Sequence, residues 1–300
     1  MITGGAGFIG SHVVDELINL GHTLCVVDNE SSNSNEEFYW RNDVKNYKLD
    51  IKDYTQCAIP FEEFRPKYVF HLAAYARIPP SIKNPIIACE NNIIGTCNIL
   101  QLSRLHECRR VIYSSTSSAY GIKNEAPQHE DMNRDCLNPY SVSKLAAEDL
   151  CKMYYSLYGL ETVSLRYFNV YGQRQPLRGQ YAPVVGIFLR QKAEGKPLTV
   201  VGDGSQRRDF TNVKDVAKAN ILAMDLNNEK VAGEVFNVGT GKNYSILEIA
   251  NIISNKVEFI DKRMGEAKET LADTRKSKEI LRYSASIDLE DYLDNVYYNI

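Results

Sequence analysis

Several signatures that would place a protein in a special class are scarce in this sequence of 300 residues. Its seven cysteines are an odd number and form no Cys-x-x-Cys pair, which argues against a zinc site or a disulfide framework. We therefore expect reduced thiols in a cytoplasmic protein that binds no metal. The formal net charge is only −3, so a basic surface for nucleic acid is not expected.

Long hydrophobic runs are also missing. The apolar stretches fall far short of the roughly 20 residues that span a bilayer, and the N-terminus has no basic segment followed by an apolar core. Neither a membrane span nor a signal peptide is predicted. The length suits one large globular domain or two smaller ones.

Strand and helix patterns alternate along the first half of the chain. Strands are predicted at residues 23–28, 46–49, 67–71, 109–115 and 161–166, and helices at 8–20, 54–64, 84–107 and 139–158. This alternation predicts an α/β fold with a doubly wound parallel sheet. After about residue 167 the pattern changes and predicts a smaller lobe. Its strands are expected at 198–201, 234–237 and 257–260, and its helices at 183–194, 212–226 and 246–254.

A glycine-rich segment opens the chain, with Gly4, Gly7 and Gly10 spaced three apart. An amphipathic helical stretch and then an apolar strand that ends at Asp28 follow it. Glycines let the backbone approach a pyrophosphate closely, and the helix N-terminus supplies free N–H groups. Asp28 is placed to accept hydrogen bonds from an adenosine ribose and to repel a 2′-phosphate. The pattern therefore predicts an NAD site rather than an NADP site.

A second motif places Tyr140 four residues before Lys144. This spacing puts both side chains on one face of a helix. A phenol with a pKa near 10 is a poor base at neutral pH, but a nearby ammonium lowers that pKa. The pair is therefore a candidate acid/base for the oxidation of an alcohol.

Together with other motifs in the same order, these two make the chain similar to the extended short-chain dehydrogenase/reductases, in the branch of nucleotide-sugar epimerases and dehydratases. The further motifs are Leu49-Asp50-Ile51-Lys52-Asp53, His71-Leu72-Ala73-Ala74, Tyr113 to Gly121, Arg166-Tyr167-Phe168-Asn169-Val170-Tyr171-Gly172, Gly202 to Phe210 and Phe236-Asn237-Val238-Gly239. The resemblance implies an NAD-binding Rossmann domain at residues 1–167 and a substrate-binding lobe mainly at 168–300. Some late segments are expected to return to the first domain.

The resemblance also implies roles for individual residues. Besides the three glycines and Asp28, it implies cofactor contacts at Phe8, Ile9, Asn29, Ser31, Asp50, Ile51, Leu72, Ala73, Ala74, Asn91, Ser114, Tyr140, Lys144 and Phe168. It makes Thr116 the catalytic hydroxyl beside Tyr140 and Lys144. It implies substrate contacts at Arg77, Thr116, Asn169, Arg208, Arg263 and Thr270, with the arginines at 208 and 263 on a diphosphate. His71 is expected to be a hydrogen-bonded strand residue and Arg207 to be structural.

The two residues after Thr116 bear on the reaction. Dehydratases and decarboxylases of this branch carry a glutamate at the second position, where this chain has Ser118 after Ser117. A hydroxyl cannot move protons as that carboxylate does at neutral pH. We therefore expect an NAD-dependent epimerase that acts at C4 of a UDP-hexose through a transient 4-keto sugar. A dehydratase, decarboxylase or reductase of the same branch stays an alternative, as does a non-catalytic NAD-sensing protein.

Thr270, Met1 and Ile2 raise two further points. In the family a bulky residue at the position of Thr270 restricts the sugar at C2, so a threonine favours a roomy site. Only Met1 and Ile2 precede Thr3, so the central first strand is expected to be truncated or very short.

The resemblance further implies a homodimer through the helices at 84–107 and 139–158. The apolar surface is expected from Ile86, Ile87, Ile93, Ile94, Cys151, Tyr154 and Tyr155.

Overall fold

The computed structural model describes residues 1–32, 35–177, 182–225, 227–261 and 267–297. Its strands are β1 (Ile2–Thr3), β2 (Cys25–Asp28), β3 (Lys45–Lys48), β4 (Tyr68–His71), β5 (Arg110–Thr116), β6 (Glu161–Tyr167), β7 (Val170–Tyr171), β8 (Leu198–Val201), β9 (Arg207–Asp209), β10 (Thr211–Asn212), β11 (Val235–Val238), β12 (Asn243–Ser245) and β13 (Val257–Ile260). Its α-helices are α1 (Phe8–Asn19), α2 (Tyr54–Phe64), α3 (Ile78–Lys83), α4 (Pro85–Cys89), α5 (Thr96–Leu105), α6 (Pro139–Tyr158), α7 (Val184–Ala193), α8 (Val213–Met224), α9 (Ile246–Ile253) and α10 (Leu289–Tyr297). No helix within the described ranges is long and apolar enough to cross a membrane.

Seven parallel strands form the main sheet in the order β3-β2-β1-β4-β5-β6-β11. This is the doubly wound order of a Rossmann fold with a seventh strand added beside β6. The chain starts at β1, winds outward to β3, and then returns to β4 on the other side of β1. The loops after β1 and β4 therefore diverge at the carboxyl edge, where such sheets bind ligands. The predicted α/β class is confirmed.

Helices cover both faces of this sheet, so its central strands are apolar throughout. All seven residues of β5 are buried. On one face, α1 and α8 pack over a cluster that includes Ile2, Phe70 and Phe236. On the other face, α2, α5 and α6 cover Val69 and Tyr113. A separate cluster of buried side chains from α7, α9 and β8 fills the smaller lobe.

Helix α6 has the bounds that the sequence predicts because its end signals are local. Asn138 accepts a hydrogen bond from the Ser141 N–H at 2.9 Å, and Pro139 occupies the first turn. Gly159 ends the helix with a left-handed φ of +70°. Tyr140 and Lys144 therefore lie in the first two turns of a well-capped helix.

The helix predicted at 84–107 differs from the observed structure. It consists of α4, a π-helical segment at Glu90–Gly95, and α5. A further short helix, α3, precedes it and has prolines in its first turn. The smaller lobe also contains strands that lack an apolar alternation and were not predicted, namely β7, β9, β10 and β12.

The first strand is very short, but it is fully integrated in the sheet. Ile2 and Thr3 pair with β2 on one side and with β4 on the other. The Gly4 N–H donates to the Val27 carbonyl at 2.7 Å, and the Leu72 N–H donates to the Thr3 carbonyl at 3.0 Å. Both residues of β1 are therefore paired on both sides within the sheet.

Two residues expected on a dimer surface lie inside the protein instead. Cys151 and Tyr154 are 1 % and 5 % exposed, because both pack into the core beneath α6. That part of the prediction is wrong. Ile86, Ile87, Ile94 and Tyr155 are exposed as expected, and Ile93 is half-buried.

Candidate active site

The glycine-rich turn links β1 to α1 by close backbone contacts. Gly4 has a φ of +69°, and a Cβ added there would lie 2.6 Å from the Ala73 nitrogen. A Cβ at Gly10 would lie 2.1 Å from the Gly4 carbonyl oxygen. Only glycine fits either position, so the N-terminus of α1 is brought directly against the loop after β4.

Asp28 ends β2 at the same edge of the sheet. Its carboxylate accepts hydrogen bonds from the Ala6 N–H at 3.1 Å and from the Glu30 N–H at 2.9 Å. Burial raises the pKa of Asp28, and these backbone N–H groups oppose that rise. The side chain is therefore fixed beside the glycine turn.

A cavity of about 230 Å³ runs from this turn to α6. Of the residues predicted to contact a cofactor, it is lined by Gly4, Gly7, Phe8, Ile9, Gly10, Asp28, Asn29, Ser31, Ile51, Leu72, Ala73, Ala74, Asn91, Ser114, Tyr140 and Lys144. The shape and the chemistry fit a dinucleotide, because a tight glycine cradle stands at one end and an acid/base pair at the other. We call it the cofactor cleft.

Two predicted cofactor residues are not in that lining. Phe168 is fully buried and packs with Tyr120 and Ala272. Asp50 accepts a hydrogen bond from the Lys52 N–H and pairs with the Lys52 ammonium at 3.7 Å. Sequence reasoning also missed several lining residues. Leu49, Ser115 and Tyr167 lie within the quoted motifs but were given no cofactor role, and Val27, Ser32, Asn35, Phe38, Ala76 and Pro176 lie outside those motifs.

Thr116 and Tyr140 meet at the end of the cleft, where β5 ends and α6 begins. Burial raises the pKa of Tyr140, while a hydrogen bond with the Thr116 side chain and the charge of Arg77 act to lower it. The Thr116 hydroxyl also accepts a hydrogen bond from the Ser118 N–H at 3.1 Å. The two side chains therefore lie next to each other at the carboxyl edge of the sheet.

Lys144 does not act on Tyr140 as the sequence predicted. Burial lowers the pKa of Lys144 to about 7, with Cys151 and Glu148 opposing that change. Its Nζ lies 4.2 Å from the centre of the Tyr113 ring. In the protein alone, Arg77 rather than Lys144 is the cation that lowers the Tyr140 pKa, and desolvation outweighs it. The expected net lowering of that pKa is therefore corrected.

A larger cavity of about 530 Å³ adjoins the cofactor cleft, and Arg77 lines both. Phe8, Ile9 and Arg77 are shared by the two linings, so the spaces meet between the N-terminus of α1 and the loop after β4. We call the larger one the substrate cavity. It brings together the predicted substrate residues Arg77, Asn169, Arg208 and Thr270. Thr116, which was also predicted to contact the substrate, lines neither cavity. Arg263 lies outside the described residues.

Within the substrate cavity, hydrogen bonds hold two of these side chains in place. The Asn169 amide donates to the Asp209 carbonyl at 2.8 Å and to the Thr270 hydroxyl at 3.4 Å. Arg208 donates to the Arg207 carbonyl at 2.8 Å. Arg207 itself donates to Asn243 and pairs with Glu248, so its structural role is confirmed.

The described lining of the substrate cavity includes Ser117 and Ser118 but no aspartate or glutamate. Glu125 and Glu130 follow in the next loop and are the acids that could have supplied a carboxylate. Glu130 instead accepts a hydrogen bond from the Asn237 N–H at 2.7 Å, and Glu125 is exposed; neither lines the cavity. A proton-transferring carboxylate is therefore missing from the described part of this wall.

Asn92 in the π-helical segment connects the loop after β4 to the catalytic helix. The side-chain Oδ1 of Asn92 accepts a hydrogen bond from the Tyr75 N–H at 2.8 Å. Its Nδ2 donates to the Tyr75 carbonyl at 3.2 Å and to the Ser143 hydroxyl at 2.9 Å. Asn92 is buried, so these bonds are shielded from water. π-Segments often mark functional sites, but no local sequence signal predicts one.

A buried ion pair lies beneath the catalytic residues. Glu148 of α6 accepts hydrogen bonds from Arg166 at 2.6 and 3.1 Å and from the Ser115 hydroxyl at 2.8 Å. Arg166 also donates to the Tyr120 hydroxyl at 3.0 Å. Because Ser115 precedes Thr116 and Glu148 follows Lys144 by one turn, this network fixes the register of β5 against α6.

His71 is held in the sheet by hydrogen bonds on both ring nitrogens. Nδ1 lies 2.7 Å from the Thr3 hydroxyl, and Nε2 lies 2.9 Å from the Thr96 hydroxyl. Burial lowers the pKa of His71 to about 3, so the ring is neutral. The prediction that it is a structural histidine is confirmed.

Comparison with known proteins agrees with this geometry. The profile of the NAD dependent epimerase/dehydratase family matches residues 1–239. A putative UDP-glucose 4-epimerase of Methanocaldococcus jannaschii is 36 % identical over 99 % of this chain and 96 % of its own length. The crystal structure of UDP-glucose 4-epimerase from Thermotoga maritima with UDP-glucose has a TM-score of 0.93 at 36 % identity and covers 99 % of this chain and 97 % of that one. That of UDP-glucuronic acid 4-epimerase from Bacillus cereus, with UDP-glucuronic acid and NAD, has a TM-score of 0.88 at 32 % identity, covering 99 % and 97 %. This chain therefore belongs to the NAD-dependent epimerase/dehydratase family.

Proposed function

We propose that this protein is an NAD-dependent nucleotide-sugar 4-epimerase that acts on a UDP-hexose. The observation that carries the proposal is that Tyr140, with Thr116 next to it, lines the cofactor cleft together with Arg77, which the cleft shares with the substrate cavity. A reacting carbon placed there has an acid/base on one side and a dinucleotide-shaped cleft on the other.

The residues that would hold NAD are those of the cofactor cleft. The cradle at Gly4 and Gly10, which a Cβ would fill, suits the pyrophosphate, and Asp28 suits the adenosine ribose. When bound, NAD supplies a reversible hydride acceptor for the alcohol carbon. Lys144 and Asn91, which line the far end, would orient the nicotinamide half.

The protein's own side chains then accept and return one proton. As a phenolate, which the positive charge of the nicotinamide in bound NAD would favour, Tyr140 accepts the proton of the C4 hydroxyl while that carbon becomes a ketone. It returns this proton after the keto sugar has rotated to present its other face. Thr116 holds the same oxygen in line with Tyr140. Arg208 and Asn169, from the smaller lobe, would bind the diphosphate and nucleotide while the sugar rotates.

The lack of a carboxylate in the described part of the substrate cavity favours epimerisation over elimination. Loss of water from a 4-keto sugar needs a base at C5 and an acid at the C6 hydroxyl, and Ser118 is neither at neutral pH. The keto sugar is therefore expected only to be reduced again, on either face.

The test is incubation of the protein with a panel of UDP- and dTDP-sugars, with products identified by NMR and mass spectrometry. C4 epimers are the expected products, and Tyr140→Phe is the control without a proton acceptor. A stable 4-keto-6-deoxy product, lighter by one water, would show a dehydratase. Release of bound NAD from a protein that turns over none of the sugars would instead favour the non-catalytic alternative.

We also propose a homodimer, in which the helices of 85–105 and α6 pair with those of a second copy. Ile86 and Ile94 are 71 % and 53 % exposed, and they line an apolar depression with Pro85, Cys89 and Ile93. Such a patch on a helix face is costly in water and favours an apolar partner.

The seven free cysteines support a reducing, cytoplasmic location.

A further inference from the structure

Arg77 and Arg208 are the two charged residues in the described lining of the substrate cavity. Arg208 comes from β9 in the smaller lobe, and Arg77 comes from the loop after β4. Only Arg77 also lines the cofactor cleft, and its charge acts on Tyr140. The cavity therefore offers positive charge both at its smaller-lobe wall and at the end where C4 of a sugar would react.

The backbone holds Arg77 in an unfavourable conformation. Its φ is +89° with a ψ of 140°, a region that residues with a Cβ rarely adopt. Such strain persists where surrounding contacts over-determine the position, and it clusters at ligand sites. The structure provides those contacts on both sides of Arg77.

On one side, Asn92 binds both backbone polar groups of Tyr75. On the other side, the buried Ser81 hydroxyl accepts a hydrogen bond from the Tyr140 N–H at 3.0 Å and donates to the Ile78 carbonyl at 2.7 Å. The segment that carries Arg77 is thus attached to the first turn of the catalytic helix. The backbone that carries Arg77 is therefore held at a fixed place relative to Tyr140.

Burial disfavours the charged form of Arg77 and lowers its pKa. An arginine stays protonated at neutral pH, so a bound anion would offset this desolvation. A carboxylate matches the planar fork of a guanidinium in both charge and geometry.

We propose that Arg77 binds the C6 carboxylate of a nucleotide hexuronate, so that the protein epimerises UDP-hexuronic acids in preference to neutral UDP-hexoses. This inference rests on the proposed function, since C4 must reach Tyr140 for either substrate. C6 is two bonds from C4, so with C4 at Tyr140 a C6 carboxylate stays close to the Arg77 end of the cavity. A ligand with a diphosphate and a carboxylate then meets both arginines.

The test compares kcat/KM of the wild type for UDP-glucuronate and UDP-galacturonate with kcat/KM for UDP-glucose and UDP-galactose. The same four measurements are made on Arg77→Gln, on Arg77→Lys and on Lys83→Gln. Lys83 is an exposed cation at the end of α3, the short helix that Arg77 precedes, and it lines neither cavity, so it is the matched control.

We expect the wild type to prefer the uronates. Arg77→Gln should reduce the ratio of uronate to neutral-hexose kcat/KM by about 30-fold or more, as for loss of one partner of a buried charge pair. Arg77→Lys should retain part of the ratio, and Lys83→Gln should leave it unchanged. A pH profile on UDP-galactose separates the effect of Arg77 on Tyr140, because that effect acts on both substrates alike.

A wild type that prefers neutral hexoses would overturn this inference and leave the proposed function intact. An equal loss on both substrate classes in Arg77→Gln would also overturn it and assign Arg77 to Tyr140 alone. Turnover of none of the four sugars would instead count against the proposed function itself.

Discussion

Replacing Glu148 by glutamine removes one charge from the ion pair beneath the catalytic helix and should destabilise the protein strongly. Glu148 and Arg166 are 2 % and 3 % exposed, so solvent cannot replace the lost charge. Glutamate and glutamine side chains have nearly the same volume, so the substitution creates no cavity. The cost is therefore electrostatic, and removing one partner of a buried pair typically costs about 3–5 kcal/mol.

The contacts of Glu148 explain why an amide is a poor substitute. One carboxylate oxygen accepts Arg166 Nη2 at 2.6 Å and Arg134 Nη2 at 3.3 Å, and the other accepts Arg166 Nε at 3.1 Å and the Ser115 hydroxyl at 2.8 Å. Every one of these neighbours donates. Whichever way the glutamine is turned, its NH₂ group faces two donors, and the Arg166 cation stays buried without a matching charge.

The assay is the free energy of unfolding from urea denaturation, with Asp149→Asn as the control. Asp149 is the next residue in α6, and it pairs with Arg134 at 2.6 Å, but its side chain is 58 % exposed. Loss of that surface pair should cost about 0–1 kcal/mol. If Glu148→Gln costs no more than Asp149→Asn, the buried pair is not what holds α6 against β5, and the reasoning fails.

Four further outcomes are expected. Tyr140→Phe should lower turnover by about 10²–10⁴-fold while NAD remains bound, because the ring still packs but the proton acceptor is lost; undiminished epimerisation would remove Tyr140 from the mechanism. Asp28→Ala should weaken the binding of NAD and reduce discrimination against NADP, as measured by titration with each nucleotide. Equal affinities of the wild type for NAD and NADP would contradict this. His71 binds no proton in the folded state until about pH 3, whereas the unfolded chain does so below pH 6.5, so its contribution to stability falls as the pH falls through that window, by at most about 1.4 kcal/mol per pH unit. His71→Gln should flatten this slope, and the exposed His22→Gln should not. Ile94→Glu should convert the proposed dimer into a monomer near 34 kDa in sedimentation, and a wild type that already sediments at that mass would refute the dimer.

Patterns with local causes predicted much of the fold. Helix α6 has its predicted bounds because Asn138, Pro139 and Gly159 are end signals in the adjacent sequence. The parallel sheet followed from the alternation of apolar strands with amphipathic helices. The residues that resemble family motifs likewise come together in two adjoining cavities.

Features that depend on distant contacts could not be predicted. The π-segment is tied to Tyr75 and Ser143 through Asn92, and no spacing within residues 84–107 indicates either partner. The pKa of Tyr140 depends on burial by several elements, and spacing from Lys144 alone gave the wrong direction. Cys151 and Tyr154 share the face of α6 that the core covers, which a helical pattern of apolar residues does not distinguish from a dimer face.

The central strand β1 divides the main sheet into two parts. On one side lie β2 and β3 with Asp28, and on the other lie β4, β5, β6 and β11, with Lys144 of α6 at the other end of the cofactor cleft. A dinucleotide that reaches from Asp28 to Lys144 would therefore cross β1 and contact both parts of the sheet. The cofactor would then link these two parts, and its loss would lower the free energy of unfolding as well as stop the chemistry.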